Sequence, residues 1–154
     1  MLEIRRAERR DAEAAFDIRL QAIRTQCGSA YSAAQVMAWS SVPLTDHYRA
    51  WVAEDYYLGR VDGQPVATGV IDLRSGQMEA IFVLPAFMGQ GIGPQMIVHL
   101  EALARAAGLS ETHLEATLNA QDFYRRCGYA GEVQAIYHSP SGLQLACVPM
   151  RKSL

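Results

Sequence analysis

Apolar residues near the start of the chain recur at helical spacing, and further on they alternate. Phe16, Leu20, Ile23 and Cys27 follow one another at intervals of four, three and four, which puts them on one helical stripe. Asp11 stands where such a helix would be capped and Gly28 where it would stop, so the pattern predicts a helix over 11–26. Ahead of it, residues 2–6 alternate weakly and read as a short strand. Two shorter helices are expected at 31–39 and 45–52, around the break at Pro43.

From residue 56 the period changes to two. Residues 56–61, 66–73 and 77–84 read as three strands of an antiparallel meander, with Asp62-Gly63 and Ser75-Gly76 as its turns. In the third strand Met78, Ala80, Phe82 and Leu84 should face one way, and Glu79, Ile81 and Val83 the other. A glycine-rich stretch follows, then a helix to about 107 with Met96, Ile97, Leu100, Leu103, Ala104 and Ala107 on its buried face. A strand at 112–117, a short helix at 120–126 capped by Asn119 and closed by Gly128, and strands at 133–138 and 143–150 complete the order. The fold class is α+β (mixed α/β), with helices packed on a largely antiparallel sheet. No linker divides it, so residues 1–154 are expected to form a single domain.

Composition narrows the function. The chain is 50% hydrophobic and 19% charged, as a globular domain should be. Its formal charge of -2 supplies no broad positive field, so neither nucleic acid nor an anionic membrane is an expected partner. No apolar run is long enough to span a bilayer, and the opening Met-Leu-Glu-Ile-Arg-Arg lacks the apolar stretch of a signal peptide. The expected address is cytoplasmic. Cys27, Cys127 and Cys147 are widely spaced, and the four histidines match no ligand spacing, so no metal is expected.

The most informative segment is Gly89-Gln90-Gly91-Ile92-Gly93, between a predicted strand and a predicted helix. Glycine tolerates positive φ and lets the main chain approach a ligand closely. Successive N–H groups in such a turn converge on an anion, and the helix that follows adds the positive end of its dipole. Pro94 suits the first turn of that helix. The reading is a diphosphate cradle. It is not a P-loop, because Pro94-Gln95 follows where Lys-Ser/Thr would be required, nor a dinucleotide fingerprint, because Met96 takes the third glycine's place.

Val83-x-Pro85-x-x-x-Gly89-x-Gly91-Ile92-Gly93 resembles the acyl-CoA loop of the GNAT N-acetyltransferases, and Asn119-Ala-x-x-Phe123-Tyr124-x-x-x-Gly128-Tyr129 is similar to a second segment of that family. Met88 departs from the Gln or Arg usual at the loop's first position. The resemblance implies a twisted, mostly antiparallel sheet of about seven strands flanked by about four helices. It implies acetyl-CoA as co-substrate and a primary amine of a small molecule or peptide as acceptor, attacking directly in a ternary complex. Met88, Gly89, Gln90, Gly91, Ile92 and Gly93 are then expected at the pyrophosphate, Phe82 and Val83 along the pantetheine arm, and Asn119, Tyr124 and Arg126 elsewhere on the cofactor. Many members are dimers, which makes a homodimer an expectation.

The chemistry picks out two catalytic candidates. Tyr124 can offer a proton to the departing thiolate. Glu79 is the one acid in an apolar strand, set four residues before Val83 and so expected on its face, where partial desolvation would raise its pKa and suit it to take the amine's proton, directly or through water. Tyr31 and Trp39, spaced along one predicted helical face, are candidates to wall the acceptor site, as is Glu79. The other reading is a CoA-binding regulatory or protein-interaction module without turnover; Tyr124 and Glu79 speak against it, Met88 for it.

Overall fold

Asp62 and Gly63 both sit at positive φ, 50° and 81°, the conformation of a two-residue hairpin turn whose twist suits its flanking strands. The computed structural model describes residues 1–154. The strands joined by that turn are β2 (Tyr56–Val61) and β3 (Gln64–Asp72), and β4 (Gln77–Val83) completes the meander. Before it come β1 (Leu2–Arg6), α1 (Ala12–Gln26), α2 (Ala33–Ser40) and α3 (Asp46–Asp55); after it come α4 (Ile92–Ala106), β5 (Glu111–Thr117), α5 (Gln121–Arg126), β6 (Ala135–His138) and β7 (Gln144–Ser153). One seven-stranded sheet runs in the order β1-β2-β3-β4-β5-β7-β6. All neighbours are antiparallel except β4 and β5. The helices number five, one more than the resemblance implies. No helix is long and apolar enough to cross a membrane.

Two helices cover opposite faces of the sheet. Helix α4 lies over β3 with Met96, Ile97 and Leu100 buried, and Gly69 makes room for it: a Cβ there would stand 2.8 Å from Met96. Ala107, expected on the buried face, is exposed just past the last turn. Helix α1 covers the other face along Ala12, Ala15, Ile18, Ala22 and Ile23, while Phe16 and Leu20 are only half-buried. The larger residues mark the flank of the contact; alanines fill the line nearest the sheet, where little space remains.

Strand β4 departs from simple alternation. Val70 opposes Glu79 and Thr68 opposes Phe82, so Ala80 and Ile81 together stand against one residue of β3. This is a β-bulge. Ala80 takes φ 52°, and its carbonyl accepts a 2.7 Å hydrogen bond from the buried Thr68 hydroxyl. The extra residue shifts the faces: Glu79 shares its face with Phe82, and Val83 lies on the opposite one. The expected pairing of Glu79 with Val83 is therefore corrected by the bulge.

Beneath α4 a polar cluster is buried. Glu101 is 2% exposed; Lys152 Nζ lies 3.0 Å from its Oε2, and the Tyr129 hydroxyl donates to the same oxygen at 2.9 Å. Lys152 also donates to the carbonyl of Cys127 at 2.9 Å, just beyond α5, so the cluster fastens the end of that helix to β7.

Candidate active site

The glycine loop leaves its main-chain donors free. Gly89 and Gly91 have φ of 74° and 78°, which side chains disfavour, and a Cβ on Gly89 would meet no protein atom within 4 Å. Gly93 has another reason: its Cβ would stand 2.9 Å from the Phe123 ring, which rests on the first turn of α4. None of the five amides from Gly89 to Gly93 donates to a carbonyl or side chain of the protein. Gly89, Gln90 and Gly91 are exposed, so these donors stand at the start of a fifteen-residue helix with their dipole uncompensated. Met88 is held by Gln26, whose side-chain amide donates to its sulfur at 2.6 Å.

Just ahead of the loop the sheet opens. β4 and β5 pair only at Gln77 and His113, and no further rung joins them. The Leu84 N–H donates to Val66, so Leu84 and Val66 are a bonded pair and the alternation turns the main chain of Val83 away from β3, into the gap. The main chain of Phe82, by the same alternation, is directed to β3.

A cavity of about 690 Å³ lies on the α1 face, beside the bulge. Glu79, Phe82 and Tyr124 line it, and so do Tyr31 and Trp39. Tyr124 is 9% exposed, has no hydrogen-bond partner in the protein for its hydroxyl, and packs edge-on against Phe123 and Tyr129 at 5.1 and 6.1 Å. Burial pushes its phenol well above the ordinary range, so it stays protonated. Glu79 remains open to solvent, yet crowding by protein atoms raises its carboxyl, and the carboxylates of Glu115, Asp72 and Asp55 add to the effect. A second hollow of about 470 Å³ reaches Glu79 from the side of Arg6, Asp55 and Asp72, but Tyr124 does not belong to it; the glycine loop lines neither hollow.

The sequence profile of the acetyltransferase (GNAT) domain matches residues 46–130, more than half of the chain and inclusive of the loop and Tyr124. The chain belongs to the GNAT family. A GCN5-related N-acetyltransferase from Rhodopseudomonas palustris superposes on it with a TM-score of 0.90 at 25% identity, over 99% of this chain and 95% of that one. YncA of Salmonella typhimurium, solved with its cofactor acetyl-CoA, shares the fold at a TM-score of 0.72 and 18% identity, over 100% of this chain and 94% of that one. The peptidyl-lysine N-acetyltransferase YjaB of Salmonella typhimurium is 34% identical over 79 residues, 51% of this chain. The match spans 48% of that curated relative's length.

Within this GNAT domain the predicted residues fall into distinct places. The Tyr31 hydroxyl is already occupied: it donates to the Ala146 carbonyl at 2.6 Å and accepts from the Leu118 N–H at 3.0 Å. Its ring meets Trp39 edge-on at 5.9 Å, so the two form one wall, although Tyr31 precedes α2 rather than riding on it. Asn119 caps nothing. It lies in a 3-10 turn ahead of α5, and its buried Oδ1 has no partner. Arg126 is exposed and unpaired, whereas Arg125 is tied to Asp122 at 2.9 Å. Two charged residues of the site escaped the sequence reading. Glu115 lines the cavity from β5. Arg19 lines it from α1, three residues after Phe16 and four before Ile23, and a charge on the apolar stripe was the available signal.

Proposed function

We propose that the protein, acting as a single domain over residues 1–154, transfers an acetyl group from acetyl-CoA to a primary amine, the amine attacking directly while both substrates are bound. The observation that carries this reading is the run of five unengaged amides from Gly89 to Gly93 at the head of α4. They suit a diphosphate. The gap between β4 and β5 suits an amide-bearing arm, with Val83 offering main-chain donor and acceptor. The orphaned Oδ1 of Asn119 fits an amide N–H of that arm, and Arg126 fits the remaining phosphate.

Acetyl-CoA supplies an activated thioester; the chain's own residues do the rest. The Val83 N–H, turned into the gap, is the donor available to charge developing on the carbonyl oxygen. The Tyr124 phenol, protonated and unpaired, offers its hydrogen to the departing sulfur. Glu79 accepts the proton of the incoming amine, directly or through water, and its raised carboxyl brings it closer to the working pH.

Calorimetric titration with CoA tests the core of this reading. The wild-type protein should release heat on binding. Gly89→Ala adds a methyl group into open space at a residue held at positive φ, so it should cost about 1 kcal/mol of stability. It should weaken CoA binding about tenfold or more, the effect of losing one charge-assisted hydrogen bond. No heat from folded wild-type protein, or equal affinity in the variant, would sink the assignment.

A further inference from the structure

Arg19 is the only arginine or lysine in the wall of the large cavity, and no carboxylate pairs with it. Its Nη2 donates to the Trp39 carbonyl at 3.1 Å, and its guanidinium carbon stands 5.8 Å from the Phe16 ring. Its Nη1 is buried with no partner, and no carboxylate forms an ion pair with it. A half-buried guanidinium without a carboxylate partner is costly, and an anion presented by a ligand to the donors that face the cavity offsets part of that cost. Carboxylates are the natural complement of its planar fork.

The same cavity holds the opposite charge at another place. Glu79 and Glu115 line it from β4 and β5, and neither is bonded to Arg19, whose one hydrogen bond goes to Trp39. Arg19, Glu79, Tyr56 and Tyr137 all line the cavity, so the two charges share one hollow. Its walls are also aromatic, with Trp39, Tyr48 and Trp51. A hollow with an unpaired cation, an acid and an apolar wall is complementary to a molecule bearing an anion, an amine and an apolar body.

We infer that the acceptor is a zwitterionic amine, an amino acid with an apolar or aromatic body, whose carboxylate is held by Arg19 while its amine is presented to Glu79. The amine half of this statement rests on the acyl-transfer reading; the anion subsite rests on Arg19 alone. A polyamine or a lysine side chain would leave Arg19 unpaired, and would bring a second cation towards it.

Matched acceptors test it. Initial rates of thiol release are compared for phenylalanine against phenethylamine, and for ε-aminocaproate against n-pentylamine. The carboxylate-bearing member of at least one pair should show a kcat/KM about tenfold higher or more, the size of one charge-assisted bond. In Arg19→Gln that ratio should fall to about one, and Arg19→Lys should restore part of it. A wild-type ratio of one or below in both pairs, or a preference unchanged in Arg19→Gln, overturns the inference. A second readout needs no turnover: the midpoint of thermal unfolding with N-acetylphenylalanine against N-acetylphenethylamine. Stabilisation by the carboxylate alone, lost in Arg19→Gln, supports the subsite even if no amine is acetylated, and then only the acyl-transfer reading fails. No difference between the two probes, with CoA still bound, removes the subsite and leaves that reading intact.

Discussion

Replacing Tyr124 by Phe separates catalysis from folding, because the hydroxyl does nothing for the folded protein. It has no hydrogen-bond partner, while the ring keeps its edge-on contacts with Phe123 and Tyr129. The hydroxyl opens into the cavity, where water can meet it, so its removal should leave stability nearly unchanged. At about 2–4 °C per kcal/mol for a chain of this size, Tm should hold within about 2 °C. Turnover should behave oppositely. Losing a positioned proton donor costs about 10²–10⁴ in rate, or about 3–5 kcal/mol of barrier. The assay is thiol release at saturating acetyl-CoA, with Tm and CoA affinity measured on the same preparation. Because burial already pushes the phenol far above its ordinary value, the variant should lower the rate uniformly across neutral pH and move neither limb of the profile. Turnover within about threefold of wild type would remove Tyr124 from the chemistry. A Tm loss above about 5 °C alongside lost activity would mark the residue as a structural support instead.

Three further outcomes follow from burial and charge. In Glu79→Gln the acid-side rise of kcat/KM with pH should flatten, and a profile like the wild type's would exclude Glu79 as the base. Its carboxyl is raised in the folded state, first by lost hydration and then by Glu115, Asp72 and Asp55. Its contribution to stability is therefore fully present below the unfolded carboxylate's pKa and lost as pH rises through the raised value. Denaturant titrations across that window should show the loss in wild type and not in Glu79→Gln. Lys152→Met leaves the Glu101 carboxylate, 2% exposed, without its cation. It should cost about 3 kcal/mol and about 10 °C in Tm, with much of this regained in the double variant Glu101→Gln/Lys152→Met; equal melting of the single and double variants would contradict the pairing.

Much of the framework was legible because local signals and tertiary demands agree. The strand at Tyr56–Val61, the hairpin at Asp62-Gly63 and the helix after the glycine loop all appear where the pattern puts them. The bulge was not legible. Ala80 is neither Gly nor Asn, the residues that announce positive φ, and the hydroxyl that bonds its carbonyl lies twelve positions away on Thr68. That one insertion moved Glu79 off the face of Val83, which strict alternation could not foresee. The loop's role could be read because Gly89 and Gly91 are needed by their own backbone geometry. Arg19 and Glu101 were passed over for a shared reason. Each is a charge on a helical stripe that is otherwise apolar, and only the assembled fold shows that one is paired by Lys152 and the other by nothing.

The single rung between β4 and β5 leaves the protein as two leaves, β1–β4 and β5–β7, with α4 as the spine that touches both. A page slipped between the inner margins meets a peptide edge, so it must present polar groups at peptide-like spacing to be held there. An alkyl chain of equal length would strip water from those margins and give nothing back. The split thus acts as a filter on the chemistry of whatever threads it. It does so before any side chain is consulted, and that makes it harder to lose by point substitution than a pocket lined by side chains.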